Sequence, residues 1–185
     1  MSEAIVTETQ AAPHLIRQGQ LQSNDWRVFT PPEDSEGTLG PSLPADEPGW
    51  IVPVTVWEKA QDTLRQRSHP VAVLLAPDST LTSLLDTNGN VDSTGIAFIA
   101  IDFPVYTDGR GYSLAQLLRT QHGWKGELRA IGDVMIDTIH YQARVGFDSF
   151  LVKAGHDPEK ALAAFNTFTV HYQKTYPQPA KPLAA

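Results

Sequence analysis

Asp108-Gly109-Arg110-Gly111-Tyr112-Ser113 is the segment of this chain best furnished for chemistry. Arg110 offers a planar fork of donors, Gly109 and Gly111 leave the backbone room to approach a ligand, and a helix is expected to begin beside them. Such a set can hold an oxyanion: a carboxylate, sulfite or phosphate. If the flanking segments are strands of a parallel sheet, their carboxyl ends share one edge. Asp102, Gly132, Asp133, Lys153 and His156 then join Asp108 and Arg110 there. Asp133 would serve as an acid or base, and Lys153, if buried, as a Schiff-base amine. Each residue also has an architectural reading. Asp108-Gly109 makes a turn, with Arg110 tied to Asp102 or Asp133. Ser113 and Asp133 cap helices, Asp137 complements a helix dipole, and Lys153 is a solvated lysine.

Several chemistries lack their sequence marks. The glycine spacing is not that of a Walker loop, and Gly-x-Gly alone is thin support for a dinucleotide fingerprint. There is no Gly-x-Ser-x-Gly elbow. His14, His69, His122, His140, His156 and His171 form neither His-x-His nor His-Glu-x-x-His, so no metal site is expected. The chain has no cysteine, which removes disulfides and thiolate metal sites. A redox role would need a bound organic cofactor or a partner carrying the metal. No cofactor fingerprint is present, and a flavin stays open. A net charge of −7 argues against nucleic acid and anionic membrane as partners. The opening MSEAIVTETQ has neither the basic nor the apolar part of a signal peptide, so the cytoplasm is the expected compartment.

The elements that must position these residues read as an α/β fold. With 185 residues and 41% hydrophobic content, the expectation is one soluble domain over 14–173, between a frayed tail at 1–13 and another at 174–185. His14–Arg17 and Trp26–Phe29 read as a β-hairpin within 14–29, followed by a Pro/Gly-rich loop at 30–49. Trp50–Val54, Val71–Leu75, Ile96–Ile101, Leu128–Ile131 and Phe150–Val152 read as strands. Helices are expected between them. One is capped by Thr55 with Glu58, a short one passes through Leu81, Leu84 and Leu85, one is capped by Ser113 with Gln116, and one is capped by Asp133 and stopped by Gly146. Asp157-Pro158 opens a last helix with the stripe Leu162, Phe165, Phe168 and Tyr172. This alternation predicts four to five mostly parallel strands with right-handed crossovers, forming an open sheet or half of a barrel. Exposed sheet edges leave a homo-oligomer open.

IDFPVYTDGRGYSLAQLLR, GELRAIGDV, RVGFDSF and ALAAFNTFTVHYQ together resemble the bacterial family of unknown function DUF934. Asp25-Trp26-Arg27 and IVPVTVW also fit, so the resemblance spans roughly residues 14 to 173. It implies an accessory role in assimilatory sulfite reduction and cysteine biosynthesis, because members tend to be encoded beside that reductase and are labelled oxidoreductases on that ground. The implied partner is a sulfite reductase hemoprotein carrying siroheme and an iron–sulfur cluster. Matching positions are Asp102, Phe103, Pro104, Thr107 to Ser113, Glu127 to Arg129, Gly132, Asp133, Asp137 and Gly146 to Asp148. The chain departs from the family pattern at Val105, where lysine is common, at Ile136 and Thr138, which flank Asp137 in place of Arg-Asp-Gln, and at Val145, where cysteine is often seen. Those departures leave Arg110 and Arg129 as the candidate anion donors. The competing function is a small-molecule enzyme or cofactor-dependent oxidoreductase using Arg110, Asp133 and Lys153.

Overall fold

A computed structural model describes residues 13–32, 42–168 and 170. Among them the chain builds β1 (His14–Arg17), β2 (Gln20–Gln22), β3 (Arg27–Val28), β4 (Trp50–Pro53), α1 (Val54–Arg65), β5 (Val71–Leu75), β6 (Ile96–Phe103), α2 (Arg110–Thr120), β7 (Leu128–Gly132), α3 (Ile139–Val145), β8 (Ser149–Val152) and α4 (Pro158–Ala163). The strands form one mixed eight-stranded sheet in the order β2-β1-β8-β7-β6-β5-β4-β3. Neighbours from β3 to β8 are parallel, while β1 runs antiparallel to both β8 and β2. The expected four to five mostly parallel strands are therefore corrected to eight of mixed direction. The expected hairpin strands join the main sheet at its two ends, and the added strand β2 is short and polar, which hides it from a search for apolar runs. No helix among the described residues is long and apolar enough to cross a membrane.

The expected hairpin over 14–29 is corrected too. The hairpin closes within 14–22 around Gln18 and Gly19, both at positive φ. Residues 27–28 instead pair with β4 at the opposite edge of the sheet. This connection dictates the shape of the molecule. Across a flat sheet of eight strands, β2 and β3 would lie about 34 Å apart at the usual strand spacing. The chain from Gln22 to Arg27 reaches at most about 18 Å. The sheet must therefore curl, and the half-barrel is the form it takes.

Because the parallel strands follow one another in order, right-handed crossovers put every helix on one face. The core divides accordingly. The large cluster joins the outer strand side chains Val73, Ile99, Ile101, Phe103, Leu128 and Phe150 to Trp57, Leu64, Leu118 and Ile139 of the helices. A smaller inner cluster holds Ile51, Ala72, Phe98, Ala100 and Ile131, with no helical residue among them. Residues 23–26 strap the open side of the curl. Trp26 meets Phe98 edge-on at 4.7 Å, and Asn24 accepts a long hydrogen bond from Arg129. Gly49 at φ +90° seats the strap, since a Cβ there would lie 2.7 Å from the Asp25 carbonyl oxygen.

Three expected caps are corrected by where the helices begin. α1 starts at Val54, so Thr55 lies inside its first turn. α2 starts at Arg110, which places Ser113 within the helix. α3 starts only at Ile139, six residues after Asp133. The short helix near Leu81 is a single 3-10 turn, Thr82–Leu84. Gly146 ends α3 at φ 114°, and Asp157 caps α4 by accepting from the Glu159 and Lys160 amides. The expected tails at 1–13 and 174–185 lie wholly or largely outside the described residues, as do residues 33–41 of the central loop and Tyr172 of the last stripe.

Candidate functional site

The carboxyl edge of the sheet is built on β6. Strand alternation turns Ile101 and Phe103 toward the helices and Asp102 toward the inner face. Burial pushes the Asp102 carboxyl above its ordinary value, against a weaker opposing bond from the Phe103 amide. Gly132 stands beside it at φ +90°, where a Cβ would lie 2.5 Å from both Asp102 Oδ1 and the Phe103 carbonyl oxygen. Only glycine fits this crossing of β6 and β7.

Asp133 gathers the loops of this edge. Its Oδ1 accepts from Lys153 Nζ at 2.6 Å and its Oδ2 from the Tyr106 amide at 3.0 Å, while its own amide donates to the Phe103 carbonyl at 2.7 Å. The hydrogen bond from Lys153, then that from Tyr106, holds the Asp133 carboxyl below the usual carboxylate range. Asp133 is thus a tie between the segments following β6, β7 and β8. The same loop displays Val105 and Tyr106, 52% and 50% exposed.

The Asp108–Arg110 pair is separate from this tie. Asp108 accepts the Arg110 amide at 3.0 Å and takes its guanidinium in a two-pronged grip, with 2.7 Å from Nη2 to Oδ2. That grip lowers the Asp108 carboxyl and raises Arg110. Gly109 has an ordinary negative φ and open space around it. Gly111 is required by packing, because a Cβ would come within 2.8 Å of the Phe103 ring. Its smallness lets α2 lie on β6.

Arg129 lies away from the edge, on the inner face in register with Ala100 and Ser149. It is 3% exposed. It donates to Glu127 from Nη2 at 2.7 Å and to Ser149 from Nε at 3.1 Å, and it stacks 4.0 Å over the Phe98 ring. Glu127 also accepts from Ser149 Oγ at 2.6 Å and Arg17 Nε at 2.8 Å. Burial raises Glu127, but the Ser149, Arg129 and Arg17 contacts outweigh it and hold the carboxyl low.

Sequence reasoning passed over Arg119. Its guanidinium, 8% exposed, donates five hydrogen bonds. The carbonyls of Gly146, Trp124 and Gly126 accept at 2.8 Å, and Asp148 accepts at 2.5 Å. Asp148 in turn takes the Leu128 amide. The arginine ending LLR and the Gly-Phe-Asp motif are thus one clamp, with the arginine buried and Asp148 at the surface. An arginine in the last turn of an amphipathic helix, followed by a loop rich in carbonyls, is the only signal that could have pointed to it.

The structure therefore brings Asp102, Gly132, Asp133 and Lys153 to one edge, sets Asp108 to Gly111 beside it at the start of α2, and holds Arg129 inside. A family model described as "Bacterial protein of unknown function (DUF934)" matches residues 72–183. Neither a curated protein nor a solved structure matches the chain.

Proposed function

The chain belongs to the bacterial DUF934 family of unknown function, and from that premise we propose that it is a cytoplasmic accessory protein of assimilatory sulfite reduction. In this reading it serves cysteine biosynthesis by docking on a siroheme sulfite reductase through the carboxyl edge of its sheet. The link to sulfite reduction rests on the resemblance described above. The docking mode rests on one observation: the loop pinned by Asp133 presents Val105 and Tyr106 to solvent, while the basic groups around it already hold carboxylates. A small oxyanion would have to displace Asp108 from Arg110 or Asp133 from Lys153, each held at high local concentration. A protein surface needs only to cover the two apolar side chains and leave those pairs at its rim.

A deletion strain grown on sulfate, sulfite or sulfide as sole sulfur source tests the role. Failure on sulfate and sulfite with rescue by sulfide supports it, and normal growth on all three removes it. Complementation with Tyr106→Ala then tests the surface, and Arg110→Ala tests the anion site. The docking reading expects the Tyr106 variant to lose reductase capture while the Arg110 variant keeps it.

A second reading, a small-molecule enzyme, is favoured by Asp102. This half-buried carboxyl, held high by burial, stands against Gly132 at the end of β6 and suits proton transfer at a strand edge. A visible spectrum of freshly purified protein checks its flavin-dependent form.

A further inference from the structure

The inner face of the curl is covered unevenly. At its amino half the strap seats Trp26 on Phe98 at 4.7 Å and Asn24 beside Arg129. Asp102 lies on the same face four residues beyond Phe98, a rise of about 13 Å. Its surroundings there are apolar. It is in register with Ile131 and stands two residues past Ala100, whose neighbour on β5 is Leu74. Leu74 and Leu151 pack against the inner cluster and remain partly exposed.

Asp102 differs from the carboxyls around it. Asp108 holds Arg110, Asp133 holds Lys153, and Glu127 holds Arg129 and Arg17. Among the described residues Asp102 has only the Phe103 amide. The basic side chains of this edge and face, Arg110, Lys153 and Arg129, are all committed to other carboxylates. Gly132 meanwhile takes φ +90° and leaves the Asp102 carboxyl its room, since a Cβ would lie 2.5 Å from Oδ1. A partly desolvated carboxylate without a counter-charge costs stability. The fold makes space for this one and leaves it unpaired, against the rule that Asp108, Asp133 and Glu127 follow. Such departures mark functional positions.

We propose that the mouth of the curl receives a basic side chain, a lysine or arginine presented by a docking partner, with its alkyl stem along Leu74 and Leu151 and its charged head on Asp102. This rests on the docking reading above and names what the partner must carry besides a cover for Val105 and Tyr106. An alkyl stem ending in a cation matches both parts of the mouth. A bare cation would leave the leucines wet, and an apolar group would leave Asp102 unpaired. The net charge of −7 draws a basic surface toward the chain.

The probe for the basic side chain is n-hexylammonium, titrated into full-length protein and followed by the methyl signals of Leu74 and Leu151. Saturable shifts at both are expected, with n-hexanol and hexanoate at least about tenfold weaker. Asp102→Asn should weaken the ammonium by about tenfold as well. Absent shifts, equal binding of the three probes, or an ammonium affinity unchanged in Asp102→Asn overturns the proposal. Capture of the reductase separates this inference from the docking reading. Loss of capture with Asp102→Asn supports the proposal. Loss with Tyr106→Ala but not with Asp102→Asn keeps the docking reading and overturns the basic side chain. If the wild type captures no reductase, the docking reading falls, and the hexylammonium titration alone decides whether the mouth takes a cation.

Discussion

The inner face and the carboxyl edge both hold basic side chains paired to carboxylates, yet the pairs differ in kind. On the inner face the side chains of Arg129 and Glu127 are 4% and 13% exposed, and Ser149 and Arg17 complete their bonding. At the edge Arg110 is 61% exposed and Lys153 54%. The edge carboxylates Asp108 and Asp133 are as buried as Glu127, so the difference lies in the basic partner, and the desolvated Arg129 makes the inner set an indispensable part of the fold. The edge pairs can open at little cost. A basic residue in a family motif can thus signal a clamp rather than a ligand site, and Arg119 and Arg129 are both clamps.

Four measurements would break or sharpen this contrast. Glu127→Gln has the largest expected effect. It leaves Arg129 charged and buried without a counter-ion, which should cost about 3–5 kcal/mol in urea unfolding. A loss below about 1 kcal/mol would mean that the inner network is no more essential than a surface pair. Trp26→Ala comes next. Losing a partly buried ring packed on Phe98 should cost about 2–3 kcal/mol and loosen the strap.

The third is the pH dependence. Glu127 is lowered from an unfolded value of 4.5, so its contribution is full above that value and is lost as pH falls through the folded one. Asp102 is raised from 3.8, so its contribution is present below that value and is lost as pH rises through the folded one. Thermal midpoints between about pH 3 and 6 should therefore fall on the acid side in wild type. That acid limb should flatten in Glu127→Gln, and Asp102→Asn should gain relative stability toward neutral pH. The smallest effect belongs to Arg110→Ala, which should leave the denaturation midpoint unchanged. A clear drop there would place the edge pairs in the same class as the inner ones.

The central strands were legible because Val71–Leu75 and Ile96–Ile101 are apolar on both faces, and the structure extends the second only to Phe103. Asp157 and Gly146 were legible as helix ends because each is specified by its neighbours: Pro158 at the first helical position, and a left-handed turn. Thr55, Ser113 and Asp133 misled for a common reason. Each carries a side chain suited to capping, but whether the side chain caps depends on where the chain enters the helix, which packing decides. The strand at Trp26–Phe29 was legible but its partner was not, because β3 pairs with β4 at the opposite edge, and β2 was hidden because three polar residues carry no apolar pattern. At the candidate site, the gathering of Asp102, Asp133 and Lys153 followed from the alternation of strands and helices. The pairing that occupies Lys153, Arg110 and Arg129 did not, because it depends on side-chain directions within loops.

The four-residue strap bears on the order of assembly. Strands β3 to β8 each pair with the next in sequence, contacts that a chain can make as it emerges. β1 instead pairs Leu15 with Leu151, the most distant strand pairing in sequence and the slowest to find. Until β8 exists, β1 and β2 have no place in the sheet, although the strap already binds them to β3. The curl is therefore set last, when β1 meets β8. A chain ending before Ser149 should hold its parallel strands as an uncurled and exposed sheet. During synthesis, that interval is when the inner face is most open to aggregation.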